Sequence, residues 1–123
     1  MARTIAVIGA SNDRRKFGNK AVRAYLRHGY TVIPINPREE TIEGLKAYRS
    51  VLDVPGRIDS ATMYVPPDVG RAIIDELAQK GIGEVWLNPG ADGDALVTRA
   101  RELHLDAIVG CSILGVGENP YLL

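Results

Sequence analysis

The stretch IAVIGASNDRRKFG at residues 5–18 decides the fold class of this chain. Its opening residues form a short apolar run that ends at Gly9, which is typical of a β-strand buried on both faces of a sheet. Small and polar residues follow, and Gly18 stands where an amphipathic helix begins. A strand that passes through a small-residue turn into a helix is characteristic of α/β domains, and the amino end of that helix can bind an anion.

The same unit repeats along the chain. Four further apolar runs predict strands at residues 31–35, 60–65, 84–87 and 107–109. Amphipathic segments predict helices at residues 19–28, 69–80 and 93–104. Because this alternation produces right-handed crossovers, we expect one α/β domain over residues 1–123. It should contain a Rossmann-like five-stranded parallel sheet in the order 3-2-1-4-5 with helices on both faces, and bind its ligand beyond the carboxyl ends of the strands.

Composition excludes several function classes. Fifteen basic residues balance fifteen acidic residues, so no overall charge attracts nucleic acid or a membrane surface. The single cysteine excludes an internal disulfide and suits a reducing compartment. The apolar run at residues 5–8 is too short for a signal peptide. We therefore expect a cytoplasmic protein without nucleic-acid or membrane partners, and the spacing of its histidines and carboxylates predicts no metal site.

The loop after the first strand has the features of a phosphate site. Residues 9–12, Gly-Ala-Ser-Asn, let a ligand approach the backbone, so a diphosphate fits beside the helix that follows. The adjacent cations Arg14, Arg15 and Lys16 would then meet a further phosphate. An ordinary tight turn with a solvated charged run has the same sequence features, so the loop alone leaves both interpretations open.

The loop after the second strand bears on which nucleotide is bound. NAD-binding domains carry an acid at this strand tip to bind the ribose hydroxyls. Here the tip reads Asn36-Pro37-Arg38, and the acids Glu39 and Glu40 come later. This disfavours NAD. Arg38 is either an exposed loop residue or the partner of a ribose phosphate, as in NADP or coenzyme A.

The remaining three loops add apolar and thiol chemistry. Pro66 and Pro67 fix the exit of the third strand and form a rigid ledge, which suits an adenine ring or a pantetheine chain better than a phosphate. The fourth loop begins Asn88-Pro89, and the fifth places Cys111 at the same edge of the sheet. A lone cysteine is more often a small packed hydrophobe than a reactive group.

Taken together, the five loops resemble the small single-domain CoA-binding protein family, which is similar to the CoA-binding domain of the succinyl-CoA synthetase alpha subunit. The segments that carry the resemblance are Val7-Ile8-Gly9-Ala10-Ser11, Val32-Ile33-Pro34-Ile35-Asn36-Pro37, Tyr64-Val65-Pro66-Pro67, Val85-Trp86-Leu87-Asn88-Pro89-Gly90 and Gly110-Cys111.

The resemblance implies that coenzyme A or an acyl-CoA is the ligand. It implies phosphate contacts from Gly9, Ala10, Ser11, Asn12 and the basic segment Arg14, Arg15 and Lys16, with the adjoining Phe17 also contacting the cofactor. It places Asn36, Pro37 and Arg38 near the nucleotide end, and it packs Val65, Pro66 and Pro67 on the ligand opposite Leu87, Asn88 and Pro89. Cys111 would lie near the cofactor, where a mixed disulfide with the CoA thiol is a hypothesis.

The expected function is non-catalytic binding of CoA or acyl-CoA. The synthetase subunit has a second domain with a phosphorylated histidine, for which this sequence has no counterpart. One alternative is a CoA-regulated interaction module that docks on an acyl-CoA enzyme. Another is a fragment of an NADP-binding reductase, with Arg38 on the extra phosphate. The apolar tail at residues 114–123 offers a contact for a homodimer.

Overall fold

Five parallel strands form the central sheet in the computed structural model of this protein, which describes residues 3–123. The sheet consists of β1 (Thr4–Ile8), β2 (Thr31–Ile35), β5 (Ser60–Met63), β6 (Glu84–Leu87) and β7 (Asp106–Val109). A separate two-stranded hairpin is made by β3 (Thr41–Ile42) and β4 (Leu45–Lys46). The predicted Rossmann-like five-stranded α/β domain is therefore confirmed.

The predicted strand order, however, is wrong. The observed order is β2-β1-β5-β6-β7, so the third strand of the sheet pairs with the first, as in the register of Ile5 opposite Ser60. The chain from β2 to β5 forms no full helix. Its apolar residues Val51, Val54 and Ile58 pack on the face opposite the first helix. Because the connection from β2 to β5 crosses that face and is right-handed, it places β5 on the side of β1 away from β2. The alternation of strands and helices in the sequence does not show which face the connection covers.

Helices cover both faces of the sheet, as predicted. On one face lie α1 (Phe17–Arg27) and the short α4 (Ser112–Gly115), packed against the alternate residues Ile5 and Val7. On the other lie α2 (Pro67–Lys80), α3 (Asp94–Glu102) and a 3₁₀ turn at Val51–Asp53, packed against Ala6 and Ile8. A second 3₁₀ turn at Pro120–Leu122 ends the chain. Burial on both faces explains why most residues of β1 and β2 are apolar.

The topology fixes where a ligand can bind. The chain leaves β1 toward β2 and returns to β5 on the opposite side of β1, so the loops after β1 and β5 separate at their carboxyl ends. A crevice at such a reversal is the usual ligand site of open α/β sheets. Among residues 3–123, no helix is long and apolar enough to cross a bilayer, and no group of three histidine, cysteine, aspartate or glutamate side chains is placed to hold a metal ion.

Candidate functional site

A cleft of about 470 Å³ lies at this reversal, at the carboxyl ends of four strands, and is called the first cleft here. The predicted site residues that line it are Gly9, Ala10, Ser11, Lys16, Phe17, Asn36, Val65, Pro66 and Pro89. The structure thus brings together residues from four separate loops. Gly18, Tyr64, Gly90 and Ala91 complete the lining.

The floor of the first cleft is backbone, because two glycines let three segments approach closely. A Cβ atom on Gly18 would lie 2.2 Å from the carbonyl oxygen of Gly9, which no side chain can tolerate. Gly9 has φ +84°, and a Cβ there would lie 3.0 Å from the carbonyl oxygen of Tyr64. The loop after β1 therefore presents main-chain atoms to the cleft, and a ligand can contact them directly.

The amino end of α1 opens on the same cleft without a cap from the protein. Lys16 is the N-cap residue in extended conformation, it makes no side-chain capping bond, and the first turn holds no acidic residue. The N–H groups of Phe17 and Gly18 at the start of this 11-residue helix have no intrahelical acceptor and carry the positive end of its dipole, whereas the Asn19 N–H donates to the Lys16 carbonyl oxygen at 3.1 Å. Lys16 is also the one charged side chain among the described residues that line this cleft. This donor set fits a phosphate or diphosphate group.

Two of the three predicted cations, Arg14 and Arg15, form ion pairs with carboxylates of the protein. The Arg14 guanidinium lies 2.7 Å from a carboxylate oxygen of Glu43 in the hairpin turn, and the Arg15 guanidinium lies 3.1 Å from Asp13. Hydrogen bonds from Arg15 hold the pKa of the Asp13 carboxyl below its usual range. Neither arginine lines the cleft, so of the three only Lys16 faces it.

Asn36 fixes the loop after β2 against the loop after β1. Its side-chain amide donates to the carbonyl oxygen of Ala10 at 2.9 Å, and its side-chain oxygen accepts from the backbone N–H of Arg38 at 2.7 Å. Pro37 and Arg38 are exposed and lie outside the lining. Asn12 also points away, since its amide donates to Glu39 and to the carbonyl oxygen of Thr41.

Two other predicted contacts lie elsewhere. Leu87 is fully buried in the core under α2 and α3, because the register of β6 turns its side chain to that face. Pro67 begins α2, outside the cleft lining. The alternation of side chains along a strand accounts for the position of Leu87, and the start of α2 accounts for that of Pro67.

A buried polar network joins the loops after β5, β6 and β7. The Asn88 amide donates to the Thr62 hydroxyl at 2.7 Å and to the carbonyl oxygen of Met63 at 2.8 Å, while its oxygen accepts from the backbone N–H of Ser112 at 2.9 Å. The Ser112 hydroxyl pairs with those of Thr62 and Tyr64. Burial raises the pKa of the Tyr64 hydroxyl to about 12. The network holds three strand ends in fixed positions, since buried polar groups are costly to separate.

A second cleft of about 430 Å³ adjoins the first and shares Phe17, Tyr64 and Pro89 with it. Of the predicted site residues, Asn88 and Cys111 line this second cleft rather than the first. Its outer wall comes from α4 and the terminal 3₁₀ turn, and consists of Leu114, Asn119, Pro120 and Tyr121.

Sequence reasoning missed several lining residues. Tyr64 lies two residues before Pro66, at the end of the same predicted strand, so its position was a usable signal. Gly18 was visible as the start of the helix, but its contact with Gly9 depends on the folded backbone. Leu114 and Tyr121 carry no local signal, because only the packing of the tail against α1 brings them to the strand ends.

Comparison with known families identifies the whole domain. The profile described as a CoA binding domain matches residues 3–116. The chain is 42% identical over 101 residues to the alpha subunit of the ADP-forming acetate–CoA ligase II of Pyrococcus furiosus, an alignment that covers 81% of this chain and 22% of that subunit. The chain thus spans less than a quarter of the length of that ligase subunit.

Solved structures give the same result. A conserved hypothetical protein from Pyrococcus furiosus superposes with a TM-score of 0.85 at 33% identity, covering 92% of this chain and 98% of that one. The dinucleotide-forming acetyl-coenzyme A synthetase 1 of Candidatus Korarchaeum cryptofilum, solved with phosphate and ADP, superposes with a TM-score of 0.75 at 33% identity, covering 85% of this chain and 25% of that one. The same domain thus occurs within a large enzyme and in a chain of similar size.

Proposed function

Since this chain belongs to the CoA binding domain family, we propose that it binds coenzyme A or an acyl-CoA in the first cleft and catalyses no reaction with its own residues. The family resemblance predicted from the five loops is confirmed by the match over residues 3–116. The identity of the bound species and the absence of catalysis are the two parts of the proposal.

One observation carries the choice of site. The uncapped amino end of α1 lies where Gly9 and Gly18 leave the backbone accessible, with Lys16 at the rim. A diphosphate fits this position because helix N–H groups and a cation together stabilise its charge. We propose that residues 9–11, Lys16 and Phe17 hold the diphosphate.

The other lining residues suit the rest of the cofactor. Asn36 lines the first cleft on the side of β2, and Arg38 is exposed in the same loop outside the lining. We propose that the ribose phosphate end binds there. Val65, Pro66 and Pro89 supply the apolar surface that a pantetheine chain requires. Coenzyme A, when bound, supplies a thiol that carries acyl groups as thioesters.

The side chains around the site support a binding role. Among the described residues that line the two clefts, none is a histidine, an aspartate or a glutamate. The hydroxyl of Tyr64 has a pKa of about 12, too far from neutral pH for an efficient general base. The shared region covers only 22% of the ligase subunit, so the ligase activity is not part of this proposal.

Isothermal titration calorimetry of the purified chain tests the proposal. We expect saturable binding of CoA, weaker binding of dephospho-CoA, which lacks the ribose phosphate, and much weaker binding of NADPH. Tight NADPH binding without CoA binding would contradict the proposal and favour the reductase alternative. Incubation with acetyl-CoA, and separately with acetate, CoA and ATP, should yield no turnover by liquid chromatography; enzyme-dependent product would refute the non-catalytic part.

A second candidate is a CoA-responsive module that docks on an acyl-CoA enzyme. It is favoured by the large apolar side chains of Val109 and Leu122, which are exposed and lie outside both cleft linings. Pull-down of an acyl-CoA ligase with and without CoA tests it, and capture that changes with CoA is the expected result. Sedimentation velocity on the same sample determines whether the chain forms a homodimer.

A further inference from the structure

We propose that the second cleft receives the acyl group of a bound acyl-CoA, so that the protein prefers thioesters of apolar acids to free CoA. This inference rests on the proposed function, because it locates the acyl group relative to CoA in the first cleft. It adds a ligand class, apolar acyl thioesters, that the family match does not specify.

The position of the second cleft supports this assignment. The first cleft lies at the ends of β1, β2, β5 and β6, and the second begins at the three shared residues Phe17, Tyr64 and Pro89 and continues to Cys111 after β7. A ligand whose nucleotide end is held at α1 has its other end free to follow the strand ends in this direction. The two clefts therefore form one continuous path along the edge of the sheet.

The lining of the second cleft favours an apolar occupant over a charged one. Among the described residues, its lining includes no charged side chain. The Asn88 amide and the Tyr64 hydroxyl belong to the buried network, and the side-chain oxygen of Asn119 accepts from the backbone N–H of Tyr121 at 2.9 Å. Apolar walls with few polar groups are typical of sites for small organic ligands.

The rim of the second cleft leaves large apolar side chains in water. Leu114 is 61% exposed and Tyr121 is 85% exposed, and both lie where an occupant would cover them. The wall is nevertheless held in place, because the Lys20 ammonium donates to the carbonyl oxygen of Pro120 at 2.8 Å. Burial of an acyl chain against such a wall is favourable by up to about fourfold in affinity per methylene group.

Calorimetric titration with CoA, acetyl-CoA and hexanoyl-CoA tests the inference. We expect hexanoyl-CoA to bind at least about tenfold more tightly than acetyl-CoA, because four more methylene groups enter the apolar cleft. In Leu114→Asp and in Tyr121→Ala, the ratio of the acetyl-CoA and hexanoyl-CoA dissociation constants should fall toward one. Leu122→Asp is the matched control, because Leu122 is 80% exposed on the same terminal turn but outside the lining, and its ratio should equal that of the wild type.

The outcomes separate this inference from the proposed function. CoA binding with no gain from the longer acyl chain overturns the inference and leaves the proposed function intact. A gain that survives Leu114→Asp places the acyl group elsewhere and also overturns it. A dimer that Leu114→Asp dissociates, with the ratio unchanged, assigns this wall to self-association instead. Failure of CoA and both thioesters to bind contradicts the proposed function itself.

Discussion

The α carbon of Gly18 faces the carbonyl oxygen of Gly9 so closely that a β carbon on Gly18 would lie 2.2 Å from that oxygen. Neither partner can yield easily, because the oxygen belongs to the backbone of the loop after β1 and Gly18 lies in the first turn of α1. This close contact holds the amino end of α1 beside the loop after β1, so that both line the first cleft. The proposed ligand site therefore depends on the contact between Gly18 and Gly9.

Gly18→Ala should therefore shift the amino end of α1 away from β1. We expect a loss of about 1–3 kcal/mol in the free energy of unfolding, as for other overpacked sites, measured by urea denaturation. CoA affinity should fall together with stability. Gly83→Ala is the matched control, since a Cβ there meets no atom within 4 Å and its backbone is not in the left-handed region. A Gly18→Ala protein as stable as wild type would contradict the close approach.

Lys16→Ala should weaken CoA binding by at least about tenfold, because a hydrogen bond to a charged group is worth roughly 1.5–3 kcal/mol. Calorimetry measures the change, and the dependence of affinity on salt should also become shallower. Lys46→Ala removes the same charge from an exposed position in the hairpin, away from the cleft lining, and controls for net charge. Equal losses of CoA affinity in the two variants would indicate that Lys16 acts only through the net charge of the protein and makes no direct contact with the ligand.

Arg15→Ala should have a smaller effect on CoA affinity than Lys16→Ala. The Arg15 guanidinium is engaged by Asp13 and its side chain is 91% exposed, outside the cleft. A ligand phosphate would have to compete with that carboxylate. A larger loss from Arg15→Ala, measured in the same titrations, would show that the basic loop rearranges when CoA binds.

Asn88→Ala should destabilise the fold by about 2–4 kcal/mol in urea denaturation. It leaves the Ser112 N–H and the Met63 carbonyl without their partner in a buried site, and unmade buried hydrogen bonds cost about 1–3 kcal/mol each. Asn12→Ala, which removes exposed hydrogen bonds, should cost less than about 1 kcal/mol. Similar losses in the two variants would argue against a tightly held network.

The stability of the fold should fall at high pH through Tyr64. An unfolded tyrosine ionises near pH 10, whereas burial raises the pKa of Tyr64 to about 12. Between these values the unfolded chain has released a proton that the folded chain retains, so the free energy of unfolding decreases as pH rises through this window. Tyr64→Phe should remove this contribution. Tyrosinate absorbance of the two folded proteins provides the check: the component that titrates near pH 12 should be lost in the variant.

The sheet was predictable from the sequence because strands buried on both faces read as apolar runs. Its order was not, because the connection from β2 to β5 contains two-residue strands and a single 3₁₀ turn, which show no periodicity. The side on which β5 pairs depends on the face that Val51 and Val54 cover. That choice is made by tertiary packing.

The candidate site was predictable to the level of loops. Gly9, Asn36, Val65 and Pro89 follow strands, and the carboxyl ends of parallel strands necessarily share one edge. The ion pairs of the basic segment were not predictable in the same way. Arg14 pairs with Glu43, which is 29 residues away in sequence, in a hairpin too short to recognise from its pattern.

The carboxyl-terminal residues Asn119, Pro120 and Tyr121 line the second cleft and do not line the first. The tail that carries Pro120 is fastened to α1 by Lys20, and Glu118 of the same tail lies 3.1 Å from His28. Residues 117–123 lie beyond the family match at 3–116 and contribute nothing to the phosphate end of the site. With the acyl group in the second cleft as proposed, a chimaera that exchanges this short segment between relatives should change the acyl selectivity while leaving the proposed phosphate contacts unchanged.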